Sequence, residues 1–164
     1  MNKKVNLIIG SGVLGAYLSV DLIKKKERVI VTTRSLRKKI HNYNYLKIQK
    51  KVKFEKLDIK NKNSIKKIIY KYKPEKIFYF AGQSSITKSL KSQKETFQSH
   101  YNGTKNFLDV LKEKNIKIKF FKANSGYIFA PNKGQIDLNC KFSSNKNPYV
   151  KAQKETFKLL KKYR

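Results

Sequence analysis

The sequence has little of what several classes of protein require. Its single cysteine, Cys140, excludes a disulfide framework and a thiolate metal site, and we expect no bound metal. No apolar run approaches the ~20 residues that a membrane span needs. The apolar run near the start ends in glycines rather than at a cleavage site, so it does not resemble a signal peptide. We therefore expect a soluble, cytoplasmic chain with no membrane partner.

Acidic residues are also scarce, with 10 Asp and Glu against 40 Lys and Arg in 164 residues, and the formal net charge is +30. Such a charge is typical of some nucleic-acid-binding proteins. The lysines, however, are spread through every segment, without a separate basic block or zinc-finger spacing. We interpret the charge as a lysine-biased composition and expect no specific nucleic-acid partner. Nonspecific adhesion to polyanions at low salt is still expected, because it follows from charge alone.

The most informative segment is 5–18, which reads VNLIIGSGVLGAYL. An apolar run leads into three glycines with the spacing G-x-G-x-x-G, and an apolar helical pattern follows. In this strand–turn–helix context the glycines favour a dinucleotide site, because the turn is tight and the pyrophosphate can approach bare main chain. The alternative is a glycine-rich turn that binds no ligand. The predicted cofactor contacts are Gly10, Ser11, Gly12, Val13, Leu14 and Gly15.

The second predicted strand, 28–33, ends without an acidic residue. NAD-binding versions of this motif place a carboxylate there, about 20 residues beyond the glycines, to bind the ribose 2′-hydroxyl. Here Arg34 lies 22 positions beyond Gly12, and its guanidinium could pair with a 2′-phosphate. We therefore predict NADP as the cofactor, with NAD as the second choice. The alternative is that Arg34 is one more basic surface residue.

Further strand and helix patterns alternate along the chain. The predicted strands are 52–57, 76–81 and 116–123; the predicted helices are 61–72, a long one after residue 85, and one from Pro148 to the end; 36–50 is a loop or weak helix, and 132–146 a polar loop. Five strands alternating with helices predict an α/β fold, a right-handed, doubly wound parallel sheet of the Rossmann type, over residues 1–164.

Ligands of such sheets bind at the carboxyl ends of the strands, where we expect the candidate residues to share one edge. Asp58 follows the third strand and could accept a hydrogen bond from an adenine amino group, or cap the next helix, or do both. Residues 81–84 follow the fourth strand and Ser125 follows the fifth.

Five motifs, in this order, resemble the extended short-chain dehydrogenase/reductases that act on nucleotide sugars, and most of all the GDP-mannose 4,6-dehydratase family. They are LDI (57–59), FYFAGQSSI (78–86), NGTKNFLDVL (102–111), NSGYIFA (124–130) and NPYVKAQK (147–154), and the resemblance spans nearly the whole chain. It implies an NAD(P)-dependent dehydratase, epimerase or reductase with a nucleotide-sugar substrate, a GDP-sugar being favoured. It also implies a homo-oligomer for the full-length protein.

The resemblance implies roles for particular residues. Tyr149 would be the base that removes a proton from a sugar hydroxyl during hydride transfer, and Ser125 would hydrogen-bond the same oxygen. The alternatives without a catalytic role are that Tyr149 is an aromatic residue at the start of a helix and that Ser125 forms a turn. The implied cofactor contacts beyond the glycines and Arg34 are Asp58, Ile59, Ala81, Gly82, Gln83, Tyr149 and Gln153, and the implied substrate contacts are Ser84, Ser85 and Ser125.

Three residues depart from the family pattern. Gln153 stands four residues after Tyr149, where the family has a lysine whose charge stabilises the phenolate; a free tyrosine has a pKa near ~10. Tyr127 replaces the glutamate that takes part in elimination, and His100 replaces an asparagine of the long helix. These departures disfavour dehydration more than a reductase or epimerase step. They also leave a second hypothesis open, a catalytically silent cofactor-binding module or partner subunit.

Family members continue well past the tyrosine helix, whereas this sequence stops at Arg164. We therefore expect a fragment of a longer protein that lacks the C-terminal substrate region. The alternative is a cofactor-binding half that another chain completes.

Overall fold

The computed structural model describes residues 4–36, 40–130 and 134–164. The chain forms two compact units. The first, Met1–Ala81 with Asn106–Ala123, is called the sheet unit; the second, Gly82–Lys105 with Asn124–Arg164, is called the helical unit. The elements in chain order are β1 (Val5–Ile9), α1 (Val13–Lys24), β2 (Arg28–Thr33), α2 (His41–Tyr45), β3 (Lys53–Lys56), α3 (Lys62–Tyr72), β4 (Lys76–Tyr79), α4 (Ile86–Lys91), α5 (Gln93–Phe97), a π-turn (Gln98–Asn102), α6 (Gly103–Glu113), β5 (Lys119–Lys122), a 3₁₀ turn (Gly126–Ile128) and α7 (Pro148–Tyr163).

The sheet unit contains one five-stranded sheet in the order β3-β2-β1-β4-β5. Every strand pair is parallel, and Ile8 of β1 lies opposite both Val31 of β2 and Phe78 of β4. Because the order reverses at β1, successive crossovers place their helices on both faces of the sheet. The predicted doubly wound parallel sheet is therefore confirmed.

Alternate residues of the central strand face two separate apolar clusters. Leu7 and Ile9 pack in a cluster with residues of α3 and α6, whereas Ile8 packs in a second cluster with residues of α1 and α2. These three side chains are fully buried, as the alternation of side chains along a strand requires when both faces are covered. Burial of each such side chain contributes about 1.5–3 kcal/mol, so this strand organises the core.

An apolar groove of about 600 Å³ opens on the α1 side of β4 and β5. Phe78 and Phe121 stack at its floor with their ring centroids 5.1 Å apart. Phe121 is 50% exposed, and Val13, Leu14 and Tyr17 of α1 are also exposed. We call this surface the aromatic groove; the side chains of Val13, Leu14, Tyr17, Phe78, Phe80 and Phe121 define it.

The prediction of one long helix after residue 85 is wrong, because two breaks divide this segment into α4, α5 and α6. Ser92, with φ −133° and ψ 52°, separates α4 from α5. The carbonyl of Ser92 accepts hydrogen bonds from both the main-chain N–H and the hydroxyl of Thr96. A π-turn then joins α5 to α6, and its widened hydrogen bond runs from the Gly103 N–H to the Gln98 carbonyl. Apolar periodicity does not register either break, because the apolar residues keep a helical spacing across both.

Other boundaries differ less from prediction. β5 begins at Lys119 rather than at residue 116; α6 ends at Glu113, and Asn115 in the turn that follows has a left-handed conformation with φ 48°. The predicted weak helix in 36–50 is the short α2, and residues 37–39 lie outside the described residues, as do residues 131–133 of the region around the polar loop. In the helical unit, the rings of Phe129, Phe142 and Phe157 pack together, which attaches the segment after β5 to α7. No helix among the described residues is long and apolar enough to cross a membrane.

Candidate functional site

The glycine turn after β1 has the close approaches that the sequence predicts. Gly10 has φ 106°, and a Cβ there would lie 2.9 Å from the Ala81 nitrogen at the end of β4. A Cβ on Gly15 would lie 2.6 Å from the Gly10 carbonyl oxygen, so only glycine lets α1 start this close to the strand. A Cβ on Gly12 would meet no atom within 4 Å. The main chain at Gly12 is therefore open to a ligand.

The start of α1 fits a pyrophosphate. Gly12 is its N-cap and makes no side-chain capping bond, and the first turn carries no acidic residue. Uncapped main-chain N–H groups at a helix start favour an anion, through hydrogen bonds and the helix dipole. Ser11 is buried, whereas Val13 and Leu14 are exposed. The predicted contacts 10–15 thus comprise the glycine turn and the first residues of α1, and their main-chain N–H groups are of the kind that can bind a phosphate.

The other predicted cofactor residues of the sheet unit lie at the same edge of the sheet. Arg34 follows β2 and is exposed, and Asp58 and Ile59 follow β3. Asp58 does not cap α3: its carboxylate accepts a hydrogen bond from the Lys60 N–H, and Asn61 is the cap, accepting from the Ser64 N–H at 3.0 Å. The alternative in which Asp58 caps this helix is therefore wrong, because the cap, Asn61, lies three residues later. Its proposed contact with adenine stays a prediction.

Tyr43 is a site residue of the sheet unit that the sequence did not indicate. Its side chain is fully buried, and its hydroxyl lies 3.1 Å from the place a Gly15 Cβ would occupy. Burial raises the pKa of the Tyr43 hydroxyl to about 12, so the group stays neutral. Tyr43 thus packs beneath the glycine turn. Its sequence gives no local signal, because Tyr45 stands two residues later in the same lysine-rich segment and is exposed.

Lys122, near the carboxyl end of β5, is a second residue that the sequence did not indicate. Its ammonium group lies 5.4 Å from the centre of the Tyr79 ring and donates a hydrogen bond to the Ala123 carbonyl. Burial lowers the pKa of the Lys122 amine to about 8. As one lysine among many, it carried no local signal of this environment.

In the helical unit, Tyr149 and Gln153 lie one turn apart on α7, and their side chains meet. The Gln153 amide nitrogen donates a hydrogen bond to the Tyr149 hydroxyl at 3.2 Å. Gln153 is 3% exposed, while Tyr149 is half-buried. The glutamine at the family's lysine position therefore contacts the candidate base directly, but it brings a neutral donor instead of a charge.

The start of α7 is fixed by Asn147, a residue that the sequence analysis quoted only as part of a motif. Its side-chain oxygen accepts from the Tyr149 N–H at 2.9 Å and from the hydroxyl of Ser89 on α4 at 3.0 Å. Asparagine is a favoured N-cap, and Pro148 supplies the first helical position. These contacts set where Tyr149 enters the helix.

The segment after β5 carries the second candidate catalytic residue. The Ser125 hydroxyl accepts a hydrogen bond from the Tyr127 N–H at 3.3 Å and so caps the 3₁₀ turn. The neighbouring Asn124 side chain donates to the Gln153 carbonyl on α7 at 3.4 Å. The alternative in which Ser125 forms a turn therefore agrees with this hydrogen bond. Its part in catalysis stays a prediction.

The loop 82–85 carries the remaining predicted residues, and its own side chains stabilise it. The Gln83 amide nitrogen donates to the Ser85 carbonyl at 2.7 Å, and the Gln83 side-chain oxygen accepts from the Ser85 N–H. Ser85 is also the N-cap of α4, and Ser84 is exposed. Gly82 lies against the ring of His100. The predicted substrate residues Ser84 and Ser85 are thus held in one ordered turn.

The parallel sheet, the glycine turn and the ordered loop after β4 define a Rossmann-type α/β protein of the dinucleotide-binding class. A family model described as GDP-mannose 4,6 dehydratase matches residues 7–164. The chain belongs to this family, within the extended short-chain dehydrogenase/reductases of the epimerase and dehydratase type. The family resemblance seen in the motifs is therefore confirmed.

Individual relatives are more distant. The chain is 27% identical over 121 residues to CDP-paratose 2-epimerase of Salmonella typhi, covering 73% of this chain and 36% of that protein. It is 23% identical over 128 residues to UDP-glucose 4-epimerase of Mycoplasma genitalium, covering 77% of this chain and 37% of that protein. The matches therefore include little more than a third of these relatives.

Solved structures show the same fold. UDP-glucose 4-epimerase of Thermus thermophilus in complex with NAD has a TM-score of 0.82 at 21% identity, covering 97% of this chain and 50% of that one. The enzyme of Bifidobacterium longum, in complex with NAD⁺ and UDP, has a TM-score of 0.83 at 19% identity, covering 97% and 48%. The chain spans about half the length of these structures.

Proposed function

We propose that this chain forms the cofactor-binding part of a nucleotide-sugar epimerase or dehydratase that uses a nicotinamide dinucleotide. The observation that carries the proposal is the open main chain at Gly12 beside the uncapped start of α1. Family membership supports it, as do the epimerases of the same fold that hold NAD.

In this proposal the residues of the sheet unit bind and orient the cofactor. Main-chain N–H groups at the start of α1 bind the pyrophosphate, and Gly12 leaves room for it. Asp58 accepts a hydrogen bond from the adenine amino group. A nicotinamide held by these residues would supply reversible hydride transfer with a carbon of the sugar ring.

The helical unit supplies the acid–base groups. Tyr149 acts as the phenolate, which takes the proton of a sugar hydroxyl and becomes the phenol, and the hydrogen bond from Gln153 orients the phenolic oxygen. Ser125 binds the same sugar oxygen, while Ser84 and Ser85 bind the substrate from the loop after β4. Tyr127 stands where the dehydratases have a glutamate, which favours epimerisation or reduction over loss of water.

The experiment that tests cofactor binding is a titration of Gly12→Ala with NADPH and NADH, followed by calorimetry. The added methyl group meets no protein atom, so we expect unchanged stability and binding at least about tenfold weaker, a loss of about 1.4 kcal/mol. Gly134→Ala, at a second glycine with open space, is the matched control and should bind as the parent chain does. Equal affinity of the parent and Gly12→Ala would refute the site.

The choice of cofactor depends on Arg34. We propose that NADP binds in preference to NAD, because β2 ends without a carboxylate and with an exposed guanidinium. The fold neighbours named above hold NAD instead, so the two dinucleotides must be compared directly. Arg34→Asp should weaken NADPH binding and leave NADH binding unchanged or stronger. If the parent chain binds both equally, the argument from Arg34 fails.

The substrate is proposed as a nucleotide sugar, with a GDP-sugar favoured by the motifs and the family model. The relatives named above act on UDP- and CDP-sugars by name. A panel of GDP-, UDP- and CDP-sugars, assayed by product analysis on the full-length protein, decides among them. We also propose that the full-length protein is a homo-oligomer, which sedimentation will measure.

A second candidate, a cofactor-binding module without catalysis, is favoured by the neutral contact of Gln153 with Tyr149. This candidate predicts cofactor binding without turnover on any sugar of the panel. Hydride exchange with a nucleotide sugar that is lost in Tyr149→Phe would exclude it.

A further inference from the structure

His100 is a buried polar side chain of the helical unit that the proposed chemistry does not use. It is 4% exposed and lies in the π-turn Gln98–Asn102. Its Nε2 lies 2.8 Å from the Gln83 carbonyl oxygen. A carbonyl only accepts hydrogen bonds, so Nε2 carries the proton and donates it.

The neighbouring residue of the π-turn binds the other polar group of the same residue. The Ser99 hydroxyl oxygen accepts from the Gln83 N–H at 3.3 Å and donates to the Thr96 carbonyl at 3.1 Å. Ser99 and His100 therefore hold both main-chain polar groups of Gln83. We call this arrangement, made of Ser99, His100 and Gln83, the Gln83 clamp.

The π-turn contains both Ser99 and His100, the two residues that bond to Gln83. Such turns are rare, and they occur frequently at functional sites. The Thr104 hydroxyl, buried one turn later, donates to the His100 carbonyl at 2.6 Å and fixes the main chain of the turn.

The His100 ring also contacts the candidate base. It packs edge-to-face on the Tyr149 ring, with centroids 5.5 Å apart and an interplanar angle of 85°. The same ring lies over Gly82, where an added Cβ would be 2.2 Å from its Cε1. One imidazole therefore touches the start of the loop 82–85, bonds to Gln83 and packs on Tyr149.

We propose that His100 is a positioning residue, which fixes the phenol of Tyr149 relative to the loop 82–85 through the Gln83 clamp. The inference rests on the proposed function, in which this loop binds cofactor and substrate and Tyr149 moves the proton. It adds a role for a residue that departs from the family pattern. His100 need not touch the substrate, because a small displacement of the phenol is enough to slow proton transfer.

Two variants of His100 separate its two contacts. His100→Phe keeps an aromatic ring against Tyr149 and removes the donor to Gln83. His100→Gln keeps an amide N–H at the depth of Nε2 and removes the ring. Ser99→Ala removes the acceptor on the other side of the clamp.

The test measures kcat and KM on the full-length protein, together with amide hydrogen exchange at Gln83. We expect His100→Phe to lower kcat by about tenfold to a hundredfold with KM nearly unchanged, and to speed exchange at Gln83. His100→Gln should keep most of the protection at Gln83 but should also lower kcat, because it removes the ring that packs on Tyr149. Unchanged kcat in His100→Phe, with faster exchange at Gln83, would overturn the positioning role, and so would unchanged kcat in His100→Gln.

The exchange measurement also separates this inference from the proposed function. If the parent protein shows no turnover, the proposed function fails, whereas the Gln83 clamp is still tested by exchange. Unchanged exchange in both His100→Phe and Ser99→Ala would then overturn the clamp itself. If His100→Phe fails to fold, the double-mutant cycle of Gly82→Ala with His100→Ala replaces it. Gly82→Ala should cost less in the His100→Ala background, because the clashing ring is absent and only the backbone strain at φ 156° remains; additive effects would contradict the contact.

Discussion

The sheet unit and the helical unit are stabilised by different kinds of contact. Most of the buried side chains described in the sheet unit are aliphatic or aromatic, and they pack in the two clusters on the faces of the sheet. Among the buried side chains described in the helical unit, polar ones are more numerous than apolar ones. The buried polar residues there are Ser89, Thr96, His100, Thr104, Gln153 and Thr156.

The difference separates stability from chemistry. Apolar burial is strong and tolerant of small changes in position, so it suits the frame that holds a cofactor. Hydrogen bonds contribute less each but fix direction, which is what a proton-transferring hydroxyl requires. We therefore expect substitutions in the sheet unit to act mainly on unfolding, and substitutions in the helical unit to act mainly on activity.

The largest expected effect is that of Ile77→Ala in β4. Ile77 is fully buried in the cluster with α3 and α6, and removing its side chain leaves a cavity that costs about 2–5 kcal/mol. Urea unfolding followed by circular dichroism measures the loss. Ile136→Ala, at a 51% exposed isoleucine of the helical unit, is the control and should change stability by less than about 0.5 kcal/mol. Equal losses of stability in Ile77→Ala and Ile136→Ala would contradict the importance of apolar burial in the sheet unit.

Lys122→Met should stabilise the sheet unit at neutral pH. Burial lowers the pKa of Lys122 to about 8 in the folded chain, against 10.5 ordinarily, so folding is penalised while the amine stays charged. The penalty, on the order of 1–3 kcal/mol, is complete below pH 8. It falls as the pH rises from about 8 to 10.5, where the unfolded chain binds more protons than the folded one.

The measurement for Lys122 is the difference in unfolding free energy between the parent and Lys122→Met at pH 7, 9 and 11. The variant should be more stable at pH 7, and the gap should close toward pH 11. Lys161→Met, a lysine in the last turn of α7 that is exposed, is the matched control and should show no such trend. A difference in unfolding free energy that does not change with pH would show that the charge of Lys122 does not cause it.

Asn147→Ala sharpens the comparison from the side of the helical unit. It removes the cap of α7 and the bond to Ser89, at an expected cost of about 1 kcal/mol. Activity should fall further than this cost explains, because the capped N–H belongs to Tyr149. Asn147→Ser restores a cap and should recover stability and kcat together. Full activity in Asn147→Ala would show that the hydrogen bonds of Asn147 do not position Tyr149 for catalysis.

The smallest effect is expected from ion pairs. Asp109→Asn removes a 2.6 Å contact with Lys62 in the sheet unit, where the carboxylate is 11% exposed. Glu155→Gln removes the exposed pair with Lys158 in the helical unit. We expect less than about 1 kcal/mol for the first and close to zero for the second. Thermal unfolding at two salt concentrations distinguishes them, and a larger effect of Glu155→Gln would reverse the expected order.

The sequence analysis predicted the sheet unit well, because its signals are local and apolar. The run RVIVTT became β2 without change, and the G-x-G-x-x-G spacing located the turn and the start of α1. Parallel order followed from the alternation of strands with helices. These features depend on hydrophobic period and on glycine, both of which are visible in a single sequence.

The helical unit was predicted less well, because long-range polar contacts shape it. Nothing in the local pattern distinguishes Ser92, where a helix breaks, from Ser89, where it continues. The bond between Asn147 and Ser89 joins residues 58 positions apart, and the Gln83 clamp joins a loop to a π-turn 16 and 17 positions later. Motif resemblance identified Tyr149 and Gln153 as a pair. The direct contact of His100 with Tyr149 has no signal in the sequence, because the two residues lie 49 positions apart.

The aromatic groove has a practical consequence for the thermal unfolding measurements proposed above. We expect the stacked rings, with Phe121 half exposed, on a chain with 30 excess positive charges to bind anionic aromatic dyes in the native state. The fluorescence of such a dye should then be high before heating starts, so its change would be a poor measure of unfolding. Thermal scans should therefore rely on circular dichroism or intrinsic tyrosine emission, since the chain contains ten tyrosines and no tryptophan.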